Sequence, residues 1–164
     1  MAIRAGHKVT IEDMPGVYFH GYQTVIQSVP NIAFTPITFT NEIVDTHGGH
    51  STSSNTSRYT PPISGYYKCS GVVAFAPFTG TTDFRTAQIT KNGSPVDGNP
   101  QNNIRSLNHA GVVPMAWCEA TIACNGTSDF IEIEGWHDRG SATNTAYTAN
   151  SACSYLICEW VAPL

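Results

Sequence analysis

The stretch VVPMAWCEATIACNGTSDFIEIEGWH, Val112 to His137, decides the fold class. Its first half alternates: Val113, Met115 and Trp117 oppose Ala116, Cys118, Ala120 and Ile122. Period-two alternation over this length is the mark of a strand. Asn125-Gly126 is a turn pair, and Asp129–His137 alternates again, with Glu132 and Glu134 on one face. Two strands around an Asn-Gly turn predict antiparallel β structure.

The rest of the chain reads the same way. Predicted strands cover Val17–Ser28, Ala33–Thr40, Gly65–Phe75, Phe84–Lys91 and Ala152–Val161. Asn92-Gly93 closes Phe84–Lys91 as a hairpin signal. Residues 47–57, 98–103 and 140–150 are rich in Gly, Ser, Thr and Asn and read as loops. Val, Ile and Thr number 43, whereas Leu and Met number 6. β-Branched side chains lose rotamer freedom in helices and fit pleated surfaces, so a helix bundle is excluded. A doubly wound fold, which needs Leu- and Ala-rich crossover helices, is disfavoured too. The expected architecture is an all-β antiparallel sandwich spanning 17–164, preceded by a short extended arm over 1–16.

Composition narrows the function. The 164 residues carry 20 formal charges, 12% of the chain, and a net charge of −4. Eight scattered basic residues and a pI near 5.8 offer no footprint for nucleic acid or anionic lipid. No apolar run is long enough to span a bilayer, and the first residues hold no apolar segment, so no signal peptide is expected. Five cysteines without a C-x-x-C pair read as small buried hydrophobes.

Two strands bear on assembly. Ala152–Val161 places Cys153, Tyr155, Ile157 and Val161 on one face and Ala152, Leu156, Cys158 and Trp160 on the other. A strand of a monomeric sandwich has one polar face. This one, like Val112–Cys124, is apolar on both, which points to burial of the second face by another copy of the chain, the alternative being cover by a loop. The expected interface residues are Trp117, Trp136, Tyr155, Ile157 and Trp160.

Sites for chemistry are few. His47-Gly48-Gly49-His50 lacks a third metal ligand and reads as a mobile polar loop. Glu132 and Glu134 read as a solvated strand face, not an acid/base pair. No nucleophile elbow, phosphate loop or dinucleotide fingerprint is present, so no catalytic residue, metal or cofactor is expected.

The run Ser57-Arg58-Tyr59-Thr60-Pro61-Pro62-Ile63-Ser64-Gly65-Tyr66-Tyr67 resembles the signature of the complement one-q/tumour-necrosis-factor superfamily of trimeric jelly rolls. Tyr59, Thr60, Pro62, Ile63, Gly65 and Tyr67 fall in its register, while Cys69 stands where the family has an aromatic ring. The resemblance implies a TNF-like jelly-roll sandwich and a homotrimer whose inner sheets meet at a threefold axis. Asp45–Arg58 resembles the version found in tailed-phage virion proteins, and Arg4–Asp13 resembles a segment of phage tail and surface proteins. These imply a virion surface location, with the arm (Ile3, Arg4, Lys8, Val9 and Ile11) docking on a major capsid protein or a tail component. The leading expectation is a capsid decoration protein. The alternative is a tail or fibre module that binds host-surface glycan through its loops, near Trp136 and Tyr147.

Overall fold

The computed structural model describes residues 16–78, 83–98, 102–105, 111–149 and 153–164. The expected docking arm, with Ile3, Arg4, Lys8, Val9 and Ile11, lies outside the described residues. Among those described, twelve strands account for the regular structure. They are β1 (Tyr18–Tyr22), β2 (Ser28–Val29), β3 (Thr35–Pro36), β4 (Asn41–Asp45), β5 (Gly65–Ala74) and β6 (Phe84–Lys91). There follow β7 (Ser94–Pro95), β8 (Asn102–Arg105), β9 (Met115–Cys124), β10 (Ile131–His137), β11 (Thr143–Asn144) and β12 (Tyr155–Ala162).

All pairings are antiparallel, and two sheets carry the domain. The first runs β4-β1-β12-β5-β9, and the second runs β3-β10-β6-β7 with β8 also on β6. The first and last long strands lie side by side, Tyr18 opposite Glu159 and Tyr22 opposite Tyr155. This ordering is the expected jelly-roll sandwich.

Alternation decides which face of each strand meets the core. Ala116, Cys118, Ile122 and Cys124 of β9, Tyr67 and Cys69 of β5, and Leu156 and Cys158 of β12 point inward and are buried. Ala87, Ile89, Ile131 and Ile133 answer from the second sheet. Phe19 stacks on Tyr59 with ring centroids 4.5 Å apart, and Tyr67 meets Tyr59 edge-on. These rings fill the space around Cys69, which faces Cys158 across the strands. The cysteines are free; burial pushes the Cys118 and Cys124 thiols up to about 12, so they pack as neutral hydrophobes.

The two Asn-Gly turns differ. Asn92 and Gly93 both adopt positive φ, 53° and 75°, and join β6 to β7 in a tight hairpin. Asn125-Gly126 instead carries the chain from one sheet to the other, because β9 pairs with β5 and β10 pairs with β6. The Asn125 side-chain oxygen accepts the amides of Thr127, Ser128 and Asp129, which bends the chain out of its own sheet. A Cβ at Gly126 would overlap the Ser64 amide, so this crossing packs directly on the signature loop.

Other expectations need correction. Val17–Ser28 is not one strand. Gln23 and Gln27 interrupt it, and Gln27 uses its carboxamide to hold the Thr38 amide at 3.0 Å and the Pro36 carbonyl at 2.8 Å. The 98–103 and 140–150 loops contribute residues to β8 and β11. Glu132 and Glu134 are buried rather than solvated: Glu132 accepts from Ser57 Oγ at 2.7 Å and pairs with Arg58, and Glu134 accepts from Gln88 Nε2 at 2.6 Å. The His47–His50 loop is pinned, not loose. The His50 side chain is buried, with Nδ1 2.6 Å from Glu42 Oε1 and Nε2 3.0 Å from the Thr56 carbonyl.

Candidate functional site

A feature that the described residues leave largely open is the outward face of the five-stranded sheet, covered only at Val72 and Ala74. Side chains two apart along a strand share a face, so the register fixes the rows across it. One row runs Asn41, Tyr22, Tyr155, Val72 and Trp117. The next runs Val44, His20, Ile157, Ser70 and Glu119. A third, Tyr18, Glu159, Lys68 and Thr121, is more polar, with opposite charges at Glu159 and Lys68. Beyond the first row, Ala74 stands opposite Met115.

This face is apolar where a solvated sheet is polar. Trp117 is 44% exposed and Met115 40%, while Tyr155 and Ile157 are half-buried by their neighbours. Burial also acts on the titratable groups. It lowers the His20 pKa below its ordinary value and raises that of Tyr155; their rings lie 5.6 Å apart. Large exposed apolar patches mark interaction surfaces.

Three of the five expected interface residues, Trp117, Tyr155 and Ile157, therefore share one face. The other two do not. Trp160 turns toward the core edge, where its indole N–H donates to the Ser64 carbonyl at 3.2 Å. Trp136 lies on β10 in the second sheet, with its ring centroid 6.2 Å from that of Phe34. Sequence reasoning passed over Tyr18, His20, Tyr22 and Val72. The alternation of Tyr18, His20 and Tyr22 is legible in the run YFHGY, but not the fact that β1 lies beside β12.

The signature residues form the corner that sets this sheet. Tyr59 is fully buried, and the Tyr67 hydroxyl donates to the Ile63 carbonyl at 2.8 Å. A Cβ at Gly65 would overlap the Trp160 indole nitrogen and lie 2.5 Å from the Ala162 carbonyl oxygen. Thr60, Pro62 and Ile63 are part-buried in the same corner. Among the described residues, no group of three or more His, Cys, Asp or Glu side chains could hold a metal ion. No helix there is long and apolar enough to cross a membrane.

Comparison with known proteins gives the fold a likeness without a close relative. No protein-family model matches the chain, and no curated protein does. Among solved structures, murine APRIL at pH 5.0 superposes with a TM-score of 0.60 at 11% identity, covering 90% of this chain and 100% of that one. Eiger TNF from S. frugiperda gives 0.56 at 13% identity, covering 92% of this chain and 96% of that one. At such identities the likeness concerns the fold alone, and it bears out the expectation drawn from the signature: the chain is an all-β, TNF-like jelly roll.

Proposed function

We propose that the chain assembles as a homotrimer through the outward face of its five-stranded sheet and serves as a non-enzymatic structural protein on the surface of a tailed-phage virion. The observation that carries the assembly is the set of outward apolar side chains Tyr22, Tyr155 and Trp117, with Ile157 beside them and Met115 beyond. Removing a side chain such as Ile or Trp from water contributes about 1.5–3 kcal/mol, so several together can offset the cost of association. A threefold arrangement is heterologous yet closed, and so does not propagate into filaments. The virion assignment rests on the resemblance of Asp45–Arg58 and Arg4–Asp13 to phage virion proteins.

In this reading the trimer decorates the capsid, and residues 1–16 dock it on the major capsid protein. Deleting residues 1–15 should leave a trimer that no longer joins particles. Full occupancy of virions by the truncated trimer would overturn the docking role, and electron microscopy of decorated particles would separate head from tail.

A further inference from the structure

We infer that the outward face of the second sheet carries a binding site for a neutral pyranose. A cleft of about 480 Å³ opens there, lined by Phe34, Trp136, Thr86, Asn103 and Phe84. The register explains its order. Trp136 stands opposite Thr86, Thr86 stands opposite Asn103, and Phe34 directly precedes β3, which pairs with β10 beside Trp136. Phe84 lies two residues before Thr86 along β6. The result is a trough across the sheet with Phe34 and Trp136 at one end, Asn103 at the other and Phe84 beside the middle.

Its chemistry is mixed in a particular way. Phe34 is 39% exposed and Phe84 46%, on a face whose other central side chains are polar and buried. The floor is Thr86, nearly fully buried, whose hydroxyl donates to Asn103 Oδ1. That bond leaves the Asn103 amide N–H groups directed elsewhere, and none of the described residues accepts them or the Trp136 indole N–H. Among the described residues the lining itself holds no ionised group, and the Arg105 guanidinium lies over the Phe84 ring, 5.9 Å from its centroid. Aromatic walls with a few convergent polar groups are the usual make-up of a small-molecule site. A pyranose fits this set: one face of its ring is C–H and can lie on an aromatic plane, while its hydroxyls both donate and accept. A purely apolar group laid over the Thr86–Asn103 floor would leave its amide donors unmet, at the cost of a buried unpaired polar group.

The cleft and the proposed assembly face lie on different sheets, so the site is complete within one chain and stays open in a trimer. The test is saturation-transfer NMR on the full chain with methyl glycosides of glucose, galactose and N-acetylglucosamine. We expect transfer to the ring C–H protons of at least one glycoside, lost in Trp136→Ala and in Asn103→Ala and kept in Trp117→Ala. Circular dichroism on each variant identifies any that fails to fold, and exposed Asn103 supplies the milder change. No transfer with any of the three, or equal transfer to Trp136→Ala, would overturn the site. So would protection of the Trp136 indole by an added peptide of residues 1–16 without sugar transfer, since the occupant would then be the chain's own arm. Transfer to a chain that light scattering finds monomeric would support the cleft while overturning the trimer; a trimer without transfer would do the reverse.

Discussion

The two outward faces of this sandwich solve the same problem in opposite ways. On the second sheet, the face away from the core is polar and internally paired along most of β10 and β6, and opens only at the aromatic cleft around Trp136. Glu132 is held by Ser57 and Arg58, Glu134 by Gln88, and Thr86 by Asn103. On the first sheet the corresponding face is apolar and largely open, with Trp117 and Met115 exposed and Tyr155 and Ile157 half-buried. Buried polar groups keep their place because unmade hydrogen bonds are costly. Exposed apolar groups keep theirs only if something else removes them from water. One face therefore stabilises the fold, and the other is available to join copies.

Substitutions on each face should break different things. The largest effect is expected from Ile157→Glu, which places a charge in the apolar rows. Centrally placed interface residues contribute about 2 kcal/mol or more, so association should weaken at least about thirtyfold while the circular dichroism spectrum is unchanged. Sedimentation at several concentrations reads this directly. Glu132→Ala should do the converse. It strands the Ser57 hydroxyl and Arg58, costing about 1–2 kcal/mol, or about 3–6 °C in Tm by calorimetry, and leaves the assembled mass unaltered.

Two smaller effects follow from titration. Burial raises the Glu134 pKa above its ordinary 4.5, so the folded chain disfavours the carboxylate. Its contribution to stability then falls as pH rises through this window, and Glu134→Gln should give a Tm equal to or slightly above that of the parent at pH 7. His20 acts in the opposite sense. Its folded-state pKa lies below 6.5, so above that value the ring is neutral in both states and contributes nothing. Below 6.5 the unfolded chain takes up the proton first, and stability falls until the folded pKa is passed. Because His20 lies on the proposed assembly face, association should weaken over the same acid window, and His20→Phe should flatten that part of the profile in light scattering.

Much of this was legible in the sequence, and the gaps have physical causes. The long strands β5, β6, β9, β10 and β12 announced themselves because each alternates with a buried face. β4, with the text NEIVD, and β8, with NNIR, have little apolar pattern of their own and owe their state to the strands they join. The burial of Glu132 could not be read locally, since its partners stand 74 and 75 residues earlier. Local pattern does not separate Trp136 and Trp160 from Trp117, because a strand apolar on both faces does not show which face is inward. Only the sheet order separates a ring on β10 from one on β9, and only the strand parity turns Trp160 inward. The signature around Tyr59–Tyr67 was the most informative segment, because its close contacts leave little freedom: Gly65 admits the Trp160 ring, and the Tyr67 hydroxyl closes on Ile63.

The central claim is that the open apolar face joins three copies. Multi-angle light scattering of the full chain at micromolar concentration tests it most directly. The account expects a mass three times that of the 17.7 kDa chain, reduced to one chain by Ile157→Glu. A monodisperse 17.7 kDa species from the unaltered protein would contradict it.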